Sequence, residues 1–478
     1  MQHLVKMQKI HLKLSKQADA FRIQQQVSEH YRQDVLPLLE KVFNELSNEQ
    51  EVVRIEQLEI DLGVLSEKEI SQTPWNHDIL AAIKKQVYKT ITGKEENNFT
   101  VLETTTINIC RQWLSYMQNG WLPWNVLHIN EAWYNKVLEA LTVDFAGVDE
   151  LKMAITKNTN VSRRIVLQHD ENFLTKLLEI LTTENQRELA SLISAAAQLF
   201  LLPVGGQLAM DGVGREEWKQ KIWEQVLQLA ASQRGKAGSE QLAEHILMQN
   251  LGYQAVANII ETVHIAPFDM LLPVFKKLYE KLELFSEIKP AILNKPKEKV
   301  STELKPDNGV DEEGIFVQHA GIVLIHPFLS SLFKHLQLVE EGNFTGTQSR
   351  QKAIGLLHYI ATGTASAQEY ELVIPKMLCE WPLQMPVEKD MEINEDALDE
   401  ADNMLQAAIE QWGILKNTSV EGLRESFLQR RGKLYIKNDV LRLQVETSSI
   451  DILLDQLPWS VSMIKLPWMK KILRVEWR

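Results

Sequence analysis

The sequence predicts a mainly α protein with α+β ends: an N-terminal strand-helix-strand unit, a helical middle region, a linker and a C-terminal α+β domain containing a hairpin. Three observations carry this. Apolar residues recur every three or four positions through most of 20–285, the period of an amphipathic helix. Near both ends they alternate with polar residues, the period of a half-buried strand. From Lys289 to Glu313 both patterns stop, and three prolines and five lysines take their place. These breaks divide the chain into 1–70, 71–288, 289–313 and 314–478.

Ile10, Leu12 and Leu14 alternate with His11 and Lys13, which predicts a short strand. Ile23, Val27, Tyr31, Val35, Leu38, Val42 and Leu46 then form the stripe of a long helix, with a kink expected at Pro37. Val53 and Ile55 hold one alternating phase and Leu58, Ile60 and Leu62 the other, so a bulge is expected between them. If the two strands are neighbours, the right-handed crossover rule makes them parallel. In the middle region the spacing predicts helices near 77–92, 104–119, 126–141, 170–183, 185–201, 215–232 and 267–285. Trp113, Trp121, Trp124, Trp133, Trp218 and Trp223 read as helix-packing core. Gly205-Gly206 and Gly212-Val213-Gly214 read as a loop, because a phosphate cradle needs a Gly-Lys-Ser/Thr ending that this chain does not have.

Beyond the linker, Ile315-Phe316-Val317 and Ile322-Val323-Leu324-Ile325 flank Gly321, and a helical pattern begins at Pro327. His319, His326, His335 and His358 follow no metal-ligand spacing, so they read as buried or capping residues and neither metal nor cofactor is expected. Cys379 with His358 lacks the third group that orients a nucleophile's base. Glu392, Glu395, Asp396, Asp399, Glu400 and Asp402 open a helix whose apolar face is Leu398, Ala401, Leu405, Ile409 and Trp412. Acids there complement the helix dipole, which makes them a solvated face. Thr418 and Glu421 are spaced to cap a helix that buries Val420, Leu423, Phe427 and Leu428 and turns Arg424, Arg430 and Arg431 to other surfaces. Gly432 is expected to end it in a left-handed conformation. Leu434 and Ile436, a turn at Asn438-Asp439, and Leu441, Leu443 and Val445 predict a hairpin, and Leu473, Val475 and Trp477 a last strand.

Composition narrows function. A chain of 478 residues, 45% hydrophobic and 24% charged, can bury a large core. Its net charge of -13 argues against a general nucleic-acid binder, which needs a basic surface. Cys110 and Cys379 are the only cysteines, so no disulfide framework is expected and a reducing cytosol suits the chain. Residues 1–14 lack the apolar core of an export signal, and the longest apolar run, Leu192 to Val204, is too short for a membrane span. No catalytic motif stands out, so neither an enzyme nor a small-molecule substrate is expected.

Leu457-Pro458-Trp459 and Leu466-Pro467-Trp468 repeat one tripeptide nine residues apart. Proline holds its predecessor extended, so the rings are set in fixed register on a partner or on the domain's own core. Lys465, Lys470, Lys471, Arg474 and Arg478 make this end basic, and rings rimmed by cations are common at interfaces. The candidate docking residues are Trp459, Pro467, Trp468, Met469, Lys470 and Trp477.

The segments 417–430, 451–460 and 463–469 resemble the tape measure protein family of bacterial contractile injection systems, which are phage-tail-like particles. The resemblance continues through Gly314–Val317, His326–Leu329, Leu356–Gly363, Gly120-Trp121-Leu122-Pro123-Trp124, Ala18–Phe21 and Ile55–Gly63. It implies a non-catalytic assembly component that sets tube or sheath length and meets tube, baseplate or cap proteins. That component would be cytoplasmic during assembly or retained inside the particle. An assembly chaperone, cap or adaptor of the same particle, or an unrelated helical adaptor, is the alternative. An extended ruler fits poorly, because prolines, strands at both ends and dense tryptophan suggest globular ends.

Overall fold

The computed structural model describes residues 3–6, 8–14, 19–46, 51–55, 57–71, 74–75, 77–92, 100–126, 129–200, 215–232, 238–247, 271, 274, 314–389, 393–437 and 440–477. The chain is mainly α, with most of its strands gathered towards the C-terminus. It forms two compact units: Met1–Arg111 with Trp124–Ala140, and Gln112–Pro123 with Leu141–Arg478. The linker expected at 289–313 and the turn at Asn438-Asp439 lie outside the described residues, as do both glycine loops and nearly all of the helix at 267–285.

In the first unit the long helix forms as α1 (Ala20–His30), a π turn (Tyr31–Val35) and α2 (Leu36–Leu46). Asp19 caps its start, its Oδ1 accepting the Arg22 amide at 3.2 Å. Pro37 has no N–H for the carbonyl four residues back. The chain accommodates it with one wider turn just upstream, where the Leu36 amide donates to the Tyr31 carbonyl. After α3 (Glu67–Ser71) comes α4 (His77–Thr92), whose Ile79, Ile83 and Val87 pack with Val35, Val42 and Trp75.

The strand-helix-strand expectation needs correcting. Residues 10–14 form no strand, and β1 (Glu51–Ile55) pairs antiparallel with β2 (Thr100–Thr104), Val53 opposite Leu102. Leu58, Ile60 and Leu62 serve the core as irregular chain. Alternation reports which side chains turn inward, and an irregular segment lying on a core satisfies it as well as a strand does.

Helix α5 (Thr105–Asn119) begins in the first unit and ends in the second, and α6 (Glu131–Val143) lies mostly in the first; the second continues with α7 (Phe145–Lys157), α8 (Thr159–Gln168), α9 (Glu171–Thr182), α10 (Leu189–Phe200), α11 (Arg215–Ser232) and α12 (239–247). Helix α11 packs against α7, α8, α9 and α10 through a face that includes Trp218, Ile222, Trp223, Val226 and Leu227. Helix α12 was not among those expected, and neither were α7 and α8. Their caps were legible: Asp144 accepts the Gly147 amide at 3.0 Å and Asn158 the Asn160 amide at 3.0 Å. Trp113, Trp218 and Trp223 are buried as expected of core rings, while Trp121, Trp124 and Trp133 are half-buried.

His169, between α8 and α9, is held in one tautomer. The Trp113 indole N–H donates to its Nε2 at 3.1 Å, so Nδ1 carries the hydrogen and donates to the Ile165 carbonyl at 2.8 Å. Burial lowers its pKa from 6.5 to about 4, the Ile165 contact and Asp170 opposing this and Lys389 assisting. The unfolded chain therefore binds a proton between those two values that the folded chain refuses. Stability is complete above pH 6.5 and falls as pH drops towards 4, by on the order of 3 kcal/mol for this group. Urea midpoints at pH 7.5 and 4.5 should show that loss, and His169→Gln should shrink it.

The C-terminal part of this unit carries a five-stranded sheet in the order β3 (Ile315–Val317), β6 (Gly432–Lys437), β7 (Val440–Val445), β9 (Leu473–Glu476), β8 (Met463–Ile464). All neighbours are antiparallel except β7 and β9. The hairpin β6–β7 keeps the expected register, Leu434 opposite Leu443 and Ile436 opposite Leu441. Between β3 and β6 come a 3-10 helix (Ala320–Ile325), α13 (His326–His335), the short pair β4 (Val339–Glu340) and β5 (Asn343–Phe344), α14 (Thr347–Thr362), α15 (Val373–Leu378) and α16 (Glu395–Gln411). Their apolar faces and those of β3, β6, β7 and β9 share one core.

Local expectations shift here. Ser419, not Thr418, caps the helix at 420, accepting the Gly422 amide at 3.0 Å, and Glu421 turns to Arg424. Arg424 is buried instead of surface-facing: its Nε donates to the Ile360 carbonyl at 3.2 Å near the C-terminus of α14, and its Nη2 to Asp402 at 2.5 Å. Gly432 opens β6, where a Cβ would stand 2.6 Å from that of Ala320; close approach, not a left-handed turn, explains the glycine.

Candidate functional site

The second unit is joined internally by a buried ionic cluster. Arg164, on α8 between the apolar Val161 and Ile165, is 0% exposed, and Glu369 and Lys376 are 1% exposed. Glu369 opens the 3-10 turn Glu369–Leu372 and Lys376 lies on α15. The Lys376 ammonium donates to Glu369 Oε1 and to the carbonyls of Leu383 at 3.2 Å and Met385 at 2.9 Å. Arg164 Nε lies 3.6 Å from the same carboxylate oxygen. One guanidinium nitrogen donates to the Met117 carbonyl and the other to that of Gln384 at 2.5 Å. The remaining carboxylate oxygen accepts the Val387 amide at 3.3 Å. Gln168 Oε1 accepts both the Tyr116 hydroxyl and the Glu369 amide, each at 3.0 Å.

This cluster ties α5 and α8 to the C-terminal domain. Burial lowers the pKa of both Arg164 and Lys376, and the Glu369 carboxylate opposes that fall by favouring their charged forms. Two cations beside one anion leave an excess positive charge, which the four carbonyls solvate. Gly120, the first residue of the Gly-Trp-Leu-Pro-Trp motif, lies against this cluster at φ 89°. A Cβ there would come 2.9 Å from Arg164 Nη2 and 3.2 Å from Glu369 Oε1. Sequence reading missed all three charges. A lysine alone inside Ile374-Pro375-Lys376-Met377-Leu378, and an arginine between apolar helix positions, were the available signals; nothing local marks Glu369.

The six docking candidates separate. Trp468 is 7% exposed, stacks 5.4 Å from Phe333 and donates its N–H to the Leu378 carbonyl at 2.8 Å. Met469 and Trp477 are buried as well, with the Trp477 indole 3.3 Å from Asp451 Oδ2. Trp459 is half-buried, edge-on to Phe328 and bonded to the Leu324 carbonyl at 2.8 Å. Pro467 and Lys470 are exposed. The two Pro-Trp repeats thus fasten the C-terminal segment to the 3-10 helix at one point and to α15 at the other.

Of the four histidines, His319 and His358 come together, whereas His326 bonds the Val323 carbonyl at 3.0 Å and His335 is exposed near Glu400. Burial pushes the Cys379 thiol well up, Arg350 opposing, which keeps it in the unreactive protonated form. In the acid run, Asp402 accepts from Tyr359 at 3.0 Å as well as from Arg424, so one member of the expected solvated face holds the core together.

The buried ionic cluster fixes the helices to the α+β domain, and the indole hydrogen bonds fasten that domain's own C-terminal segment. The family model described as contractile injection system tape measure protein matches residues 2–477, and the chain belongs to that family of structural particle components. No curated protein and no solved structure was found to match it. Among the described residues no helix is long and apolar enough to cross a membrane.

Proposed function

We propose that the chain acts as a folded, non-catalytic assembly component of the injection particle, meeting tube, baseplate or cap subunits through the basic rim of its C-terminal domain. The family match across nearly the whole chain carries this reading. It assembles in the cytoplasm and contributes to tube or sheath length as a folded body, not through its own contour. All 478 residues in one helix would span roughly 700 Å at about 1.5 Å each. Among the described residues the longest helical run, 20–46, reaches only about 40 Å.

Lys465, Pro467, Lys470 and Arg474 are exposed, beside Met463 at 67% and Ile472 at 48% exposure. Apolar side chains rimmed by cations suit an acidic, partly apolar partner face. Reversing Lys465, Lys470 and Arg474 together to glutamate should lower recovery of particle components with the tagged chain by on the order of tenfold, while circular dichroism stays unchanged. Undiminished recovery would move the docking surface elsewhere.

A further inference from the structure

His319 stands before the 3-10 helix with φ 54°, a left-handed backbone uncommon outside glycine. It is 8% exposed, and among the described residues neither of its ring nitrogens has a hydrogen-bond partner. Burial of this kind without a partner is costly. Its ring lies 5.7 Å from that of His358, edge to face. His358, on α14, is 1% exposed. Its Nδ1 is 3.1 Å from the Thr364 carbonyl oxygen, which can only accept, so Nδ1 carries the hydrogen and Nε2 is left with a lone pair. That lone pair faces Glu371 Oε2 at 3.3 Å. Two electron-rich atoms at this distance need a positive charge between or beside them, either a proton or a metal ion.

We propose that His319, His358 and Glu371 form a binding site for a divalent transition metal of the zinc type. One ligand atom from each lies within 4.8 Å of the other two. Small rotations bring them to the roughly 3.3–3.5 Å edges of a tetrahedron with metal–ligand bonds of about 2.0–2.2 Å, leaving a fourth position for water. Two imidazoles and one carboxylate are a donor set that zinc accepts. The Thr364 carbonyl supplies the outer contact that fixes the ligating tautomer of His358. Glu371 is anchored too, its Oε2 accepting the Gln368 amide at 2.8 Å. The ion ties the loop after β3, α14 and the turn Glu369–Leu372 into one joint, and that turn also supplies Glu369 to the ionic cluster. The sequence spacing of 39 and 13 residues, from 319 to 358 and from 358 to 371, hides the site, because only the fold brings the three segments together.

The full-length chain, stripped with a chelator, should be titrated with zinc ion alone against a competing chromophoric chelator. A single equivalent is expected to bind and to raise the melting temperature. His319→Ala and Glu371→Gln should each weaken binding by on the order of 100-fold, and His335→Ala should leave it unchanged. Zinc-edge X-ray absorption on the loaded wild-type chain, which needs no variant to fold, should show two imidazole ligands. Binding no tighter in the wild type than in His319→Ala, or a shell of oxygen ligands alone, would overturn the site and assign the charge between His358 and Glu371 to a proton.

Discussion

Glu369→Gln should destabilise the second unit by about 3–5 kcal/mol, read from urea unfolding followed by tryptophan fluorescence. The substitution keeps the size of the side chain and removes its charge. Arg164 and Lys376 then lie beside each other, 0% and 1% exposed, with carbonyl dipoles but no anion to balance them. A second variant separates charge from packing. Combining Glu369→Gln with Lys376→Met should recover part of the loss, since one buried cation fewer is left without its anion. If Glu369→Gln costs under about 1 kcal/mol, the cluster behaves as a screened surface pair and does not hold the helices to the domain.

Gly321→Ala should be comparably severe, for a steric reason. A Cβ at this position would overlap the Phe427 carbonyl oxygen and stand 2.8 Å from its carbon and 3.1 Å from Leu428 Cα. All three are backbone atoms, so no side chain can turn aside. The 3-10 helix would have to withdraw from the π turn Arg424–Leu428, stretching the 2.6 Å bond from the Ala320 amide to the Arg430 carbonyl. It would also unpack Ile322, Val323, Leu324 and Ile325, all essentially inaccessible to solvent. A loss of about 3 kcal/mol or more is expected. Gly413→Ala, where among the described residues nothing lies within 4 Å of the added carbon, should stay within about 0.5 kcal/mol. Equal melting temperatures for the two variants would show that the close approach at Gly321 is not a constraint.

What was legible in the sequence follows from how local each signal is. The stripe from Ile23 to Leu46 and the alternation from Leu434 to Val445 state a period, and the structure has the long helix and the hairpin there. Pro37 announced the irregular turn because its missing donor is a property of one residue. Pairing partners were not legible. β1 joins β2 across nearly fifty residues, and 10–14 form no strand, although both strands were expected from the same kind of alternation. The sites were harder still. Arg424 reads as a surface charge until Asp402, Glu421 and the end of α14 close around it. Arg164, Glu369 and Lys376 lie up to 212 residues apart, as do no neighbours that a motif could register. Likewise, the sequence left the Trp468 ring open to a partner or to the domain's own core, and the fold turns that ring towards Phe333 and the Leu378 carbonyl.

Particle length separates a folded component from an extended ruler. A helical spacer of about 40 residues, inserted into the glycine-bearing stretch 203–214 that the sequence marks as a loop, would add about 60 Å to an extended ruler. Electron micrographs of particles assembled with that chain should show unchanged tube length, because a folded component contributes surfaces and not contour. Tubes longer by that increment would contradict it.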